Sequence, residues 1–198
     1  MSPVCQMSCA TIAVSGGNRR YILKVRLYNT QRCPYARRTR IVLYEKGVDF
    51  EVREVDLSNK SEEFLGVSPT GKVPVIVVDG DSLYESNIVN QYLDEITGEP
   101  GLMSADPKAR AQARIWMSSA DENFFPAVFV ASVGRELGFP EERISDSFEK
   151  LEMVLSFLEA RLEGRELEER GEVSLDRYPN VAAWMERIEA RESFGAAT

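Results

Sequence analysis

Strand-period and helix-period segments alternate through residues 23–98, and beyond residue 107 the strand period stops. That switch limits the fold more than any other feature. An alternating run builds strands layered against helices, whereas a purely helical run buries its apolar stripes in a bundle. Residues 23–28 (LKVRLY) alternate apolar and polar, as a half-buried strand does. A short loop follows, then Pro34, well suited to the first turn of a helix that runs to about residue 46 and stops at Gly47. Residues 50–55 read as a second strand, 61–65 as a helical turn, and 73–78 (VPVIVV) as a third, central strand. Asp79-Gly80-Asp81 marks a hairpin turn into a short strand at 82–84. Ser86 then opens a helix to about residue 96, closed near Gly98.

Past a Pro/Gly-rich stretch the spacing is helical over 108–134 and 140–162, where Phe148, Leu151, Leu155, Leu158 and Leu162 fall at steps of three and four. A shorter amphipathic helix at 179–191 places Val181, Trp184 and Ile188 on one face. Trp116, Phe124, Phe125 and Phe129 read as core residues of the helical part. The expected organisation is therefore a flexible extension over 1–22, an α/β domain over 23–98, a linker over 99–106 and an all-α domain over 107–198.

Composition removes several chemistries. The chain has three cysteines and no histidine. A Ser–His–Asp hydrolase, a Cys–His protease, a His-ligated zinc site and a histidine general base are all excluded. An odd, sparse cysteine count does not build a disulfide framework, and Cys5 and Cys9 alone do not close a tetrahedral metal site; no metal is expected. The net charge of −8 argues against nucleic acid or an anionic membrane as partner. No apolar run reaches the length of a spanning helix. Residues 1–22 lack the basic start and apolar middle of a secretory signal, so the expected compartment is the cytosol.

The chemistry concentrates at Arg32-Cys33-Pro34-Tyr35-Ala36, between a strand and a helix. A cysteine at a helix N-terminus faces unbonded N–H groups and the positive end of the helix dipole, and both favour thiolate over thiol. Position 36, where a resolving cysteine would stand, is alanine. A mixed disulfide formed at Cys33 then needs a second thiol from solution, and in cytosol that points to glutathione.

Two further pairs accompany it. Val73-Pro74 opens the central strand, where a proline removes a ladder donor. Either the bond is cis and turns the Val73 backbone outward, or a trans proline simply begins the strand. Glu85-Ser86 stands at a helix start: Ser86 is a good N-cap, and together the pair offers an anion site and a carboxylate for an ammonium group. A free amino-acid end, such as the γ-glutamyl end of glutathione, carries both charges.

From residue 27 to 95, LYNTQRCPYARRTRIVLYEKGVDFEV and then SPTGKVPVIVVDGDSLYESNIVNQYLDE, the chain resembles the glutathione transferase superfamily, and the Cys-Pro-Tyr-Ala site looks most like its cysteine-type classes, omega, lambda and bacterial relatives. The resemblance implies a thioredoxin-like N-terminal domain followed by an all-α domain. It implies Cys33 as the nucleophile that forms a mixed disulfide with glutathione. The Val73 backbone, before a cis Pro74, would hold the cysteinyl part, and Glu85 and Ser86 the γ-glutamyl end. Lys60, with Lys72 as rival, would meet the glycyl carboxylate. Glutathione would be the cosubstrate, a small electrophile or disulfide the second substrate, and a homodimer the assembly. Tyr28 lies near the catalytic phenol of tyrosine-type members; a packed strand tyrosine is the preferred reading.

The implied activity is thiol transfer: deglutathionylation or reduction of a dehydroascorbate-type substrate. The alternatives are a glutathione-conjugating transferase and a non-catalytic interaction protein like the bacterial stringent starvation proteins. The C-terminal Tyr178-Pro179-Asn180-Val181-Ala182-Ala183-Trp184 also resembles the superfamily. Before it, five of the ten residues 163–172 are glutamate where members place a Ser/Thr-x-x-Asp box and an apolar helix. The all-α domain is thus expected to be short of one core helix, through loss of the element or a gap in the sequence.

Overall fold

The computed structural model describes residues 12–16, 19–98, 100–162 and 179–198. They divide into two units. The first runs to Met103 and takes in Ala196–Thr198; the second is Ser104–Gly195.

The first unit is built on a four-stranded mixed sheet. Strands β3 (Val25–Asn29), β4 (Phe50–Glu54), β5 (Val75–Val78) and β6 (Asp81–Tyr84) lie in the order β4-β3-β5-β6. β3 is parallel to β4 and antiparallel to β5, and β6 returns antiparallel to β5. The parallel pair needs a crossover, which helix α1 (Pro34–Glu45) provides. Helix α2 (Glu62–Val67) precedes β5, and α3 (Ser86–Thr97) follows β6.

Alternation along the strands sorts side chains into two clusters. Val25, Leu27, Ile76 and Val78 pack with Leu43 of α1 and with Val89 and Leu93 of α3. Tyr28 and Val75 point the other way, into a cluster with Phe64 of α2, Val55 and Val73, to which Cys33 is packed. The site thus lies against one of the two cores. β5 starts at Val75, two residues later than the apolar run implies, because Pro74 brings no N–H to the ladder. The Val73–Pro74 bond is cis. Gly47 ends α1 with φ +60°, the left-handed conformation its position requires.

Beside this sheet, β1 (Ile12–Gly16) and β2 (Arg19–Leu23) pair antiparallel from Ile12 opposite Leu23 to Gly16 opposite Arg19. All of those residues but Leu23 belong to the segment read above as a flexible extension. Cys5 and Cys9 lie outside the described residues.

Lys46 joins the end of α1 to the chain beyond α3. Its ammonium bonds the Asp94 carboxylate at 2.9 Å and the carbonyls of Gly98 and Pro100 at 2.6 Å each. Asp94 in turn accepts from the Leu102 and Met103 amides at 2.8 and 3.1 Å. Burial alone would raise the Asp94 pKa, but the two amides and Lys46 outweigh it and hold it below the ordinary carboxylate value. A group lowered in the folded state stabilises the fold above its unfolded pKa, and that contribution is lost as pH falls through the folded value. Asp94→Asn is therefore expected to cost about 1–3 kcal/mol at pH 7, a charge-assisted hydrogen bond and one misdirected amide. Urea unfolding should show the gap between wild type and variant narrowing below pH 4, on the ordinary carboxylate scale; a gap that widens in acid contradicts this.

The second unit is helical. Asp106 caps α4 (Pro107–Ser119) by accepting from the Ala109 amide at 2.7 Å. A π-helical turn, Ala120–Phe124, leads into α5 (Phe125–Val133). The long α6 (Glu141–Leu162), α7 (Pro179–Glu189) and the short α8 (Glu192–Ala196) follow. Leu155 and Leu158 of α6 pack on Val181 and Ala182 of α7, along the predicted stripes. The stripes are not wholly covered: Phe148 is 52% and Trp184 42% exposed. Of the aromatic residues expected in the core, Trp116, Phe124 and Phe125 are half-buried and Phe129 is exposed. The expectation of a missing core helix falls on residues 163–178, outside the described residues.

Candidate functional site

Cys33 occupies the N-cap of α1, with an extended backbone and no capping bond from its side chain. Its amide donates to the Thr30 carbonyl at 2.9 Å, and its carbonyl accepts from the Arg37 amide at 2.9 Å. The backbone therefore satisfies the turn and the first helical bond while leaving the sulfur uncommitted to the helix. Cys33 is a free, half-buried thiol. Its Sγ lies 4.0 Å from the Val73 carbonyl oxygen, a long thiol contact that brings two of the expected site residues side by side.

The chain before Cys33 is fastened at residues 29, 30 and 31. Asn29 donates to Glu54 at 2.7 Å, the Thr30 hydroxyl to the Val55 carbonyl at 2.8 Å, and the Gln31 amide to Glu54 at 2.7 Å. The end of β3 is in this way tied to the end of β4 at the point where the thiol is presented.

Glu85, not Ser86, is the N-cap of α3, and its side chain makes no capping bond. Glu85 is exposed and has φ +65°. For a residue with a Cβ, that backbone costs on the order of 1–3 kcal/mol. Ser86 is the first helical residue and is buried. Its hydroxyl is not a cap but the acceptor of the Arg38 guanidinium: Nε donates to it at 2.9 Å and Nη2 bonds it as well. Arg38 also stacks on Tyr35, 5.2 Å from the ring centroid. A residue five positions beyond Cys33 on α1 thus links that helix to the start of α3. The sequence shows Arg37-Arg38 only as a cationic pair; nothing in a single chain marks the serine that receives it.

Lys60 and Lys72 are both exposed. Lys60 reaches over the 68–72 turn, its Nζ 3.2 Å from where a Cβ on Gly71 would sit. Gly71 has φ +62°, so the position both requires glycine and leaves room for the lysine. The Ser68 hydroxyl closes this turn by accepting from the Lys72 amide at 3.1 Å and donating to the Lys72 carbonyl at 2.9 Å.

Tyr28 is buried, and its hydroxyl donates to Glu63 at 2.7 Å. Burial, then the Glu63 bond, holds the phenol above its ordinary pKa, so it stays protonated. That is the behaviour of a packed strand tyrosine with its proton already committed. Among the described residues, no group of three or more His, Cys, Asp or Glu side chains is placed to hold a metal ion, and no helix is long and apolar enough to cross a membrane.

Against known proteins, the family described as "Glutathione S-transferase, N-terminal domain" matches residues 27–101. The chain is 38% identical over 88 residues to a probable glutathione transferase of Aplysia californica, covering 44% of this chain and 96% of that protein. It is 47% identical over 91 residues to glutathione S-transferase U28 of Arabidopsis thaliana, covering 45% of this chain and 41% of that protein. It thus spans less than half the length of that plant relative. Among solved structures, the Tau-class enzyme of mango, Mangifera indica, superposes with a TM-score of 0.74 at 25% identity over 87% of this chain and 91% of that one. A glutathione S-transferase of Methylobacillus flagellatus, with glutathione bound, gives 0.75 at 26% identity over 88% and 98%. A thioredoxin-like sheet with a helical second unit, a family match across that sheet and a relative matched over nearly its whole length agree: the chain belongs to the glutathione S-transferase family.

Proposed function

We propose that the chain is a glutathione-dependent thiol transferase with Cys33 as its nucleophile, nearest in chemistry to the cysteine-type classes. The observation that carries this is the thiol at the α1 N-cap beside the Val73 carbonyl, with Ala36 where a resolving cysteine would stand. Glutathione lies with its cysteinyl part on the Val73 backbone, its γ-glutamyl end at Glu85 and Ser86, and its glycyl carboxylate toward Lys60 or Lys72. Arg38, already bonded to Ser86, places a cation beside the γ-glutamyl carboxylate.

The Cys33 thiolate attacks the glutathionyl sulfur of a mixed disulfide. The S–S bond breaks, the substrate leaves as a thiolate and takes a proton from water, and a Cys33–glutathione disulfide remains. A second glutathione thiolate then attacks the glutathionyl sulfur, giving oxidised glutathione and restoring the Cys33 thiolate. In sum one free glutathione is consumed: it and the glutathionyl group of the substrate leave as oxidised glutathione, and the substrate sulfur is reduced to a thiol. In this reading the enzyme is a cytosolic homodimer.

The test runs two assays on the wild-type chain: glutathione-dependent reduction of a small glutathione mixed disulfide, and conjugation of glutathione to a chlorodinitrobenzene. Ping-pong turnover of the disulfide, with a glutathionylated Cys33 trapped and found by mass spectrometry, is expected. Conjugation without disulfide turnover moves the chain to the conjugating transferases. Neither activity together with no glutathione binding leaves an interaction protein.

A further inference from the structure

Arg40 stands seven residues beyond Cys33, two helical turns along the same side of α1. It is 4% exposed, an unusual burial for an arginine. No apolar packing explains it, because its guanidinium is spent on the pieces of chain around the cysteine loop. Nη1 bonds the Asn29 side-chain oxygen, and Nη2 donates to the Gln31 carbonyl at 3.1 Å. Nε and Nη2 both donate to the Ala197 carbonyl, at 3.1 and 2.7 Å. Asn29 is itself 1% exposed and passes its amide on to Glu54, whose other oxygen takes the Gln31 amide at 2.7 Å. One planar fork therefore grips the end of β3, the cysteine loop and the 196–198 segment of the same unit.

We infer that Arg40 is the positioning residue for Cys33: its fork fixes residues 29–31 so that the thiol stays at the N-cap of α1 beside the Val73 carbonyl. The inference rests on the thiol-transferase reading. Arg40 touches no reacting atom in that scheme; it acts through the loop. A lysine cannot replace it, since one ammonium does not span three acceptors set in a plane. The loop would keep its Glu54 bonds but lose the grip that sets its distance from α1.

The experiment uses the full chain with Arg40→Lys, and with Glu54→Ala as a second variant at the exposed residue that holds Asn29 and Gln31 from the β4 side. Four quantities are read: the unfolding midpoint, glutathione affinity by calorimetry, kcat and KM for mixed-disulfide reduction, and the rate of Cys33 alkylation by iodoacetamide at pH 7, followed on the Cys33 peptide by mass spectrometry. The expected result for Arg40→Lys is a kcat lower by roughly 10–100-fold with KM and glutathione affinity within about threefold of wild type. Alkylation of Cys33 slows by about fivefold as the thiol loses its place at the N-cap. Glu54→Ala, which frees residues 29–31 from the β4 side, shifts both in the same direction by less; if Arg40→Lys does not fold, unchanged alkylation and kcat in Glu54→Ala overturn the idea that a fixed loop positions the thiol. Unchanged or faster alkylation with unchanged kcat overturns the inference, as does a loss confined to glutathione affinity. If wild type shows no disulfide turnover, the thiol-transferase reading fails, while the alkylation comparison still decides whether Arg40 positions Cys33.

Discussion

Cys33→Ser is expected to lower glutathione-dependent disulfide reduction by roughly 10³-fold or more while leaving the protein as stable as wild type or slightly more so. The two halves of that result have separate causes. A serine hydroxyl cannot form the disulfide on which turnover depends, and Ala36 offers no second sulfur to take over. The local fold, however, uses only the backbone of residue 33: its amide to Thr30 and its carbonyl to the Arg37 amide, both at 2.9 Å. Serine is a favoured N-cap where cysteine makes no capping bond, so a gain of about 0.5–1 kcal/mol is expected. Glutathione binding, proposed above at Val73, Glu85 and Ser86, should survive. Activity and stability then move in opposite directions, which excludes unfolding as the reason for inactivity. If disulfide reduction by the variant stays within tenfold of wild type, Cys33 is not the nucleophile.

The fold was legible where local chemistry coincides with tertiary need. Pro34 and Gly47 bracket α1 because one lacks an N–H that the first turn does not use and the other accepts a left-handed φ. Asp79-Gly80 turns β5 into β6 because both residues take positive φ. The hairpin at 12–23 was missed because a short apolar run beside Gly-Asn is equally consistent with a loop when nothing in sequence shows the partner strand. Phe129, expected in the core, is exposed for a related reason. A stripe at helical spacing shows which residues share a face, not how much of that face another element covers.

The place of Cys33 at a helix start was legible because its requirement is local: a cysteine, then a proline, between a strand and a helix. The supporting arginines were not. Arg38 and Arg40 look like any exposed helix charges, and their roles depend on Ser86, 48 positions away, and on Ala197, 157 positions away. Pairings at that separation leave no period and no motif. Ser86 shows the converse: its composition at a helix start points to a cap, yet the structure gives the cap to Glu85 at the cost of a strained backbone and hands the serine to Arg38.

Phe64→Ala is expected to cost about 3–5 kcal/mol, the range for removing a buried aromatic ring and leaving part of its volume empty. Phe64 is 1% exposed and is the buried residue of α2, a helix of six residues. A helix that short has no stability of its own in water. The Ser61 cap, accepting from the Phe64 amide at 3.2 Å, adds little by comparison. What keeps α2 on the sheet is this ring, 5.9 Å from the Tyr28 ring and packed with Val55, Val73 and Val75. Set against a usual total of about 5–15 kcal/mol, the loss takes a large part of the folding free energy. It also reaches the site, since α2 carries Glu63, the partner of Tyr28, and the same cluster forms the wall against which Cys33 is packed. Phe64→Leu, which keeps most of the volume, should cost only about 1–2 kcal/mol and retain disulfide reduction at low temperature. Urea unfolding of the two variants is the check. A loss under 1 kcal/mol for Phe64→Ala would mean that α2 is held to the sheet by something other than its one buried ring.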